Sequence, residues 1–168
     1  MSWLPPATIL EKRIVDAIAG ESWATDLAGS QAATVPLAVR GAVGYGIKLP
    51  LVRVVISGGD EEPDYSSNYN MTVEITVASS TDITTAAGDA DEAYETAFDN
   101  HNQIVGNLFE WLATDSNAVA ASLSGGVTGY ANEVEVKAIR IAGFDRGEMD
   151  DERIEDVVRV EVYTYMTT

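Results

Sequence analysis

Cysteine is absent from this sequence. Disulfide staples, thiolate nucleophiles and cysteine-ligated metals are therefore excluded. Histidine occurs once, as His101, so any imidazole chemistry rests on a single side chain. No G-x-S-x-G elbow accompanies it. Bases are scarce: 10 Lys+Arg stand against 27 Asp+Glu, a formal net charge of −17 over 168 residues. Such a charge repels nucleic-acid phosphates and anionic membrane surfaces. No run of about 18 apolar residues is present, which excludes a transmembrane helix. The opening Met1-Ser2-Trp3-Leu4-Pro5-Pro6 has neither a basic nor an apolar leader region, so no secretory signal is expected.

What is present argues for a folded body. Hydrophobic residues make up 46% of the chain, far more than acidic disordered chains carry. The length fits one domain over residues 1–168, able to bury roughly 70% of its unfolded surface. Two explanations of the acidity stand side by side. One is a surface that must not hold nucleic acid. The other is a protein built for very high salt, where screening relieves self-repulsion; the composition resembles that of proteins from extreme halophiles.

Pattern along the chain predicts four strands and two main helices. Thr8 and Glu11 have capping-box spacing after Pro5-Pro6, and Leu10, Ile14, Ala17 and Ile18 follow helical spacing up to Gly20. Residues 21–48 carry little periodicity beyond a candidate short strand, Thr34 to Val39. Leu51 to Ile56 is a β-branched strand ended by Ser57-Gly58-Gly59. Met71, Val73, Ile75 and Val77 alternate with Thr72, Glu74 and Thr76, as in a strand with one buried face. The two strands would form a hairpin with a long acidic tip, Asp60 to Asn70.

A long helix follows, with Asp89 and Glu92 at N-cap and N3 spacing. Tyr94, Ala97, Phe98, His101, Val105, Leu108, Phe109 and Leu112 form its apolar stripe. Glu95, Asn102 and Glu110 lie opposite. A short helical turn spans Ala118 to Leu123 and ends at Ser124-Gly125-Gly126. Val134, Val136 and Ala138 alternate with Glu133, Glu135 and Lys137 in a third strand that reaches Ile141. Val158, Val160, Val162 and Met166 alternate with Arg159, Glu161, Tyr163 and Tyr165 in a fourth. An acidic loop, Asp145 to Asp156, would join them. The expected fold class is α+β: a mainly antiparallel four-stranded sheet with helices packed on one face, in the order α-β-β-α-β-β.

No motif supplies enzyme chemistry. His101 sits on the apolar stripe and reads as a hydrogen-bonded core or interface histidine. Gly41, Gly44 and Gly46 lack the G-K-[ST] and the strand-to-helix setting of a phosphate loop. The Asp145 to Asp156 segment is oxygen-rich but lacks calcium-loop spacing. No cofactor and no metal site is expected. Tyr163 and Tyr165 on the outward phase of the last strand fit either an interface or a face covered by the first helix.

The order of elements, with Leu49-Pro50-Leu51-Val52 leading into the first strand, resembles the tail-terminator (tail-completion) proteins of long-tailed phages and related viruses. The likeness is one of order and length across nearly the whole chain. It implies a structural protein of the virion tail or neck, made in the host cytoplasm. Such proteins form a six-fold ring that caps the tail tube and offers a docking surface to the head connector. The partners implied are copies of itself, a tail tube protein, a head-neck connector protein and DNA in transit, with no membrane. Together with the salt-adapted composition, the chain looks like part of a tailed virus of halophilic archaea.

On this reading the candidate assembly-interface residues fall in three groups. Asp60, Glu61, Glu62, Asp64, Tyr65 and Tyr69 belong to the hairpin tip. Asp145, Arg146, Asp150 and Asp151 belong to the late acidic loop. Tyr163 and Tyr165 belong to the last strand. Alternatives are another neck or connector ring of the same particle, a DNA-mimic inhibitor, or a soluble enzyme of a halophile. A DNA mimic needs acids gathered on one elongated face, whereas here they are spread over loops, helix backs and strands.

Overall fold

The computed structural model describes residues 2–21, 38–40, 51–61, 68–80, 90–114, 116–149 and 153–167. In chain order these form α1 (Pro6–Ala19), β1 (Ala38–Arg40), β2 (Leu51–Glu61), β3 (Asn68–Ser80), α2 (Ala90–Thr114), α3 (Ser116–Leu123), β4 (Gly125–Gly126), β5 (Glu133–Met149) and β6 (Arg153–Thr167). The strands make one sheet of six in the order β1-β2-β3-β6-β5-β4. β1 lies parallel to β2, and the other four junctions are antiparallel. The fold is thus α+β with a mainly antiparallel sheet. The expected four strands and α-β-β-α-β-β order are corrected: the described residues form six strands and three helices. β1 and β4 hold three and two residues, too few to show an alternation. The expected strand at Thr34 to Val39 overlaps β1 at Ala38 and Val39; residues 34–37 lie outside the described ones.

The helices of the described residues share one core with one face of the sheet. Leu10, Ile14 and Ile18 of α1 and Ile104, Leu108 and Leu112 of α2 meet Val52 and Val54 of β2, Val73 and Val77 of β3, and Val158, Val160 and Val162 of β6. Each full burial of such a side chain contributes about 1.5–3 kcal/mol. The strand residues in this cluster keep period two, so the sheet buries the phase that alternation marks. Ile9 and Ile104, left out of the expected stripes, are also fully buried.

The start of α1 departs from the capping box. Its N-cap is Pro5 without a side-chain cap bond, and Pro6 takes the first helical position. That position has no intrahelical partner for its N–H, so proline loses nothing there. Thr8 donates its own N–H to the Pro5 carbonyl at 2.9 Å. It therefore stands inside the first turn and cannot act as the cap.

The described residues of the two acidic segments expected as loops belong to strand ladders. β2 and β3 continue pairing through Asp60↔Asn70 and Glu61↔Tyr69. β5 and β6 pair through Asp145↔Val157 and Arg146↔Asp156, and reach Met149↔Ile154. Strand pairing satisfies backbone groups wherever two extended segments lie adjacent, and an acidic side chain on an exposed face does not oppose it. Register shifts in β5 between Val136 and Ala138 and between Ile141 and Gly143 also change which side chains face the core. One extra residue reverses the alternation. Ala138 turns outward, and Ile139 and Ile141 pack against the core instead.

Candidate functional site

Within the core lies a buried polar cluster. Along β6 the inward phase runs Ile154, Asp156, Val158, Val160 and Val162, which brings a carboxylate among aliphatic side chains. Along β3 the same phase ends in Ser79 after Val77. The α2 stripe sets His101 above both. His101 Nδ1 lies 2.9 Å from Ser79 Oγ, and His101 Nε2 lies 3.1 Å from Asp156 Oδ2. His101 and Asp156 are wholly excluded from solvent and Ser79 is 2% exposed.

Burial drives the His101 pKa below its ordinary value. The Asp156 hydrogen bond and charge oppose the shift, and the Arg146 charge adds to it. The ring is therefore neutral at pH 7, and one tautomer fits both contacts: Nε2–H donates to Asp156, and Nδ1 accepts from the Ser79 hydroxyl. The outer carboxylate oxygen, Asp156 Oδ1, lies 3.4 Å from Arg146 Nε in an ion pair, but the geometry makes no hydrogen bond. Arg146 comes from β5 and rests its guanidinium 5.2 Å from the Phe98 ring centroid. Its Nη2 also donates to Asn102 Oδ1 at 3.4 Å.

A serine, a histidine and an aspartate in contact invite comparison with acyl-transfer triads. The chemistry requires a serine oxygen that can meet a substrate carbonyl, with oxyanion donors aimed at the same point. Ser79 is sealed, and neither ring nitrogen of His101 reaches solvent. In this conformation the cluster ties α2 to β3, β5 and β6 and delivers no proton outward. The expectation of a hydrogen-bonded core histidine agrees with this geometry. Its partners Ser79 and Asp156 were not anticipated. The available signal was a polar residue on the apolar phase of each strand. A cleft of about 610 Å³ lies elsewhere, between the end of α2 and α3, with Trp111, Glu110 and Val119 among its walls.

The sheet face opposite the helices is the other organised surface. Arg159 of β6 pairs with Glu74 of β3 at 4.0 Å and with Asp145 of β5. Arg140 of β5 pairs with Glu161 of β6. Lys137 pairs with Glu135 at 2.6 Å. The arginine pairs lie directly or diagonally across neighbouring strands, where opposite charges attract, and Lys137 and Glu135 lie two residues apart on β5. Beyond them Tyr163 stands in register with Ala138 and Asn70, and Tyr165 with Glu135 and Asn68. Tyr165 is exposed, as are Trp3 and Tyr130. A bridge between Ser2 and Tyr130 sets the N-terminal segment beside the start of β5.

Those sequence-derived interface residues that are described lie on different parts of the sheet. Asp145 joins the ion-paired sheet face, whereas Arg146, its neighbour, turns to the helix side and to Asp156. Both belong to β5, not to a loop. Asp60 and Glu61 lie in β2. Tyr69 lies in β3 and packs against the core, away from Tyr163 and Tyr165. Glu62, Asp64, Tyr65, Asp150 and Asp151 lie outside the described residues. The first helix does not cover Tyr163 and Tyr165; its buried side chains meet the opposite face of the sheet. Among the described residues no group of three or more His, Cys, Asp or Glu could hold a metal ion, and no helix is long and apolar enough to cross a membrane.

No protein-family model matches this sequence, and no curated protein is significantly similar to it.

Proposed function

We propose that this chain is a structural virion protein that forms a ring, six-fold in the reading from its element order, closing the tail tube and joining it to the head connector. The observation that carries the reading is the one-sided sheet. The described helices pack on one face, and part of the other, around Arg140, Asp145, Arg159 and Tyr165, is an exposed, ion-paired surface. Another molecule can bury that open part, and heterologous contacts between copies close into rings. The net charge of −17 supports the second half of the reading, because acidic walls weaken counterion-release binding and let a duplex pass without being held. A different neck or connector ring of the same particle would use the same properties.

The test is light scattering and negative-stain imaging of the purified chain in molar KCl, followed by mixing with tail tubes. Uniform rings that bind tube ends are the expected result. A chain that neither forms rings alone nor binds tube ends overturns the reading.

A further inference from the structure

We infer that the open part of the sheet face, from the Glu74–Arg159–Asp145 row to Tyr165, is the surface on which a second copy of this chain docks. The inference rests on the ring reading and adds where the subunits meet. Its basis is electrostatic. Two bodies of −17 each repel less where they meet across acids that are mostly paired with bases. On this part of the face Glu74 and Asp145 share Arg159, Glu161 holds Arg140, and Glu135 holds Lys137. Among the described side chains only Glu133, at the rim, has no basic neighbour. Three of the chain's ten bases are gathered here.

The same pairing favours a second copy over other occupants. A basic partner gains most on surfaces where acids stand unpaired, and here four of the five described acids have a basic neighbour. Nucleic acid gains nothing from a patch whose cations are already held by carboxylates. Tyr163 and Tyr165 extend the patch with amphipathic rings, which suit a contact that is partly wet. The far end of the face is not available in the same way: Leu51, Thr76 and Ala78 are buried there.

Two variants with equal charge change separate a local contact from general repulsion. Arg140→Glu alters the face at a side chain that is 73% exposed. Lys12→Glu alters the outer surface of α1, where the lysine is 41% exposed. Each adds two negative charges. Sedimentation equilibrium in about 1 M KCl, where screening acts within ~3 Å, reads subunit association, and thermal melts confirm that both variants fold. The expected result is association weakened by about tenfold or more for Arg140→Glu and changed by less than about twofold for Lys12→Glu.

Equal weakening in both variants overturns the inference in favour of overall charge. An associating wild type that neither variant weakens also overturns it, and leaves the ring reading standing with another interface. A wild type that stays monomeric overturns the docking surface, and tube-end binding then decides the ring reading separately.

Discussion

His101 Nε2 stands 3.1 Å from Asp156 Oδ2, and neither side chain is accessible to solvent. The pair joins the long helix to the central strand β6 by a polar contact within a mainly apolar core. Buried polar groups stabilise only while each keeps its partner, which makes this contact a sensitive probe of the fold.

The His101 pKa is lowered in the folded chain from an ordinary value of 6.5. The unfolded chain then binds the extra proton between the folded value and 6.5, so stability rises with pH across that window. The contribution is complete above about 6.5 and declines as the pH falls towards the folded value. Melting temperature measured from pH 8 downward should drop through that window. In His101→Gln that part of the decline should disappear; an unchanged pH profile would show that His101 is not the titrating group.

Asp156→Ala should destabilise the domain by about 2–3 kcal/mol, because it leaves the buried His101 N–H without an acceptor. Asp156→Asn keeps an acceptor of similar shape and should cost less. Urea melts at pH 7.5 measure the difference. Equal losses for the two variants would mean that the carboxylate charge, rather than the hydrogen bond, is what the site requires.

Val73 and Val160 are register partners at the centre of the sheet, 0% and 1% exposed. Either Val73→Asp or Val160→Asp would bury a charge without a partner. Each variant should lose its cooperative thermal transition. A retained sharp melt would contradict the assignment of these strands.

Gly147 tests the β5–β6 hairpin. A Cβ there would stand 2.5 Å from the Glu155 carbonyl oxygen, a contact that only a backbone shift relieves. Gly147→Ala should destabilise by about 1–3 kcal/mol, read by chemical denaturation. A neutral result would place the two strands further apart than described.

Arg13 links α1 to the end of α3. Its Nη2 donates to the carbonyls of Ser122 at 2.7 Å and Ser124 at 2.8 Å, where a helix C-terminus presents unpaired acceptors and a partial negative charge. Arg13→Ala should lower stability by about 1 kcal/mol, and Arg13→Lys should recover part of it. Equal melts for Arg13→Ala and the wild type would show that water serves these carbonyls as well.

The sequence by itself determined the elements with a sustained hydrophobic period. Val73, Ile75 and Val77 in β3 and Val158, Val160 and Val162 in β6 alternate with polar residues, and burial follows that alternation because the pleat sends successive side chains to opposite faces. The α2 stripe was legible for the same kind of reason, since 3.6 residues per turn gather Ala97, His101, Leu108 and Leu112 on one side. The burial of His101 was legible too, because it shares that stripe.

Only the tertiary structure decided the rest. β1 and β4 are too short to carry a period and exist through their neighbours' unpaired edges. The extension of the hairpins through Asp60, Glu61, Asp145 and Arg146 depends on two segments lying adjacent, which no local pattern expresses. The outward turn of Ala138 comes from one inserted residue in the ladder. The partnership of Ser79, His101 and Asp156, and the gathering of Glu74, Arg159 and Asp145 on the open face, join positions far apart in the chain. Periodicity is local and survives in the sequence. Register and cross-strand contact are relations between distant segments, and they become defined only when the sheet closes.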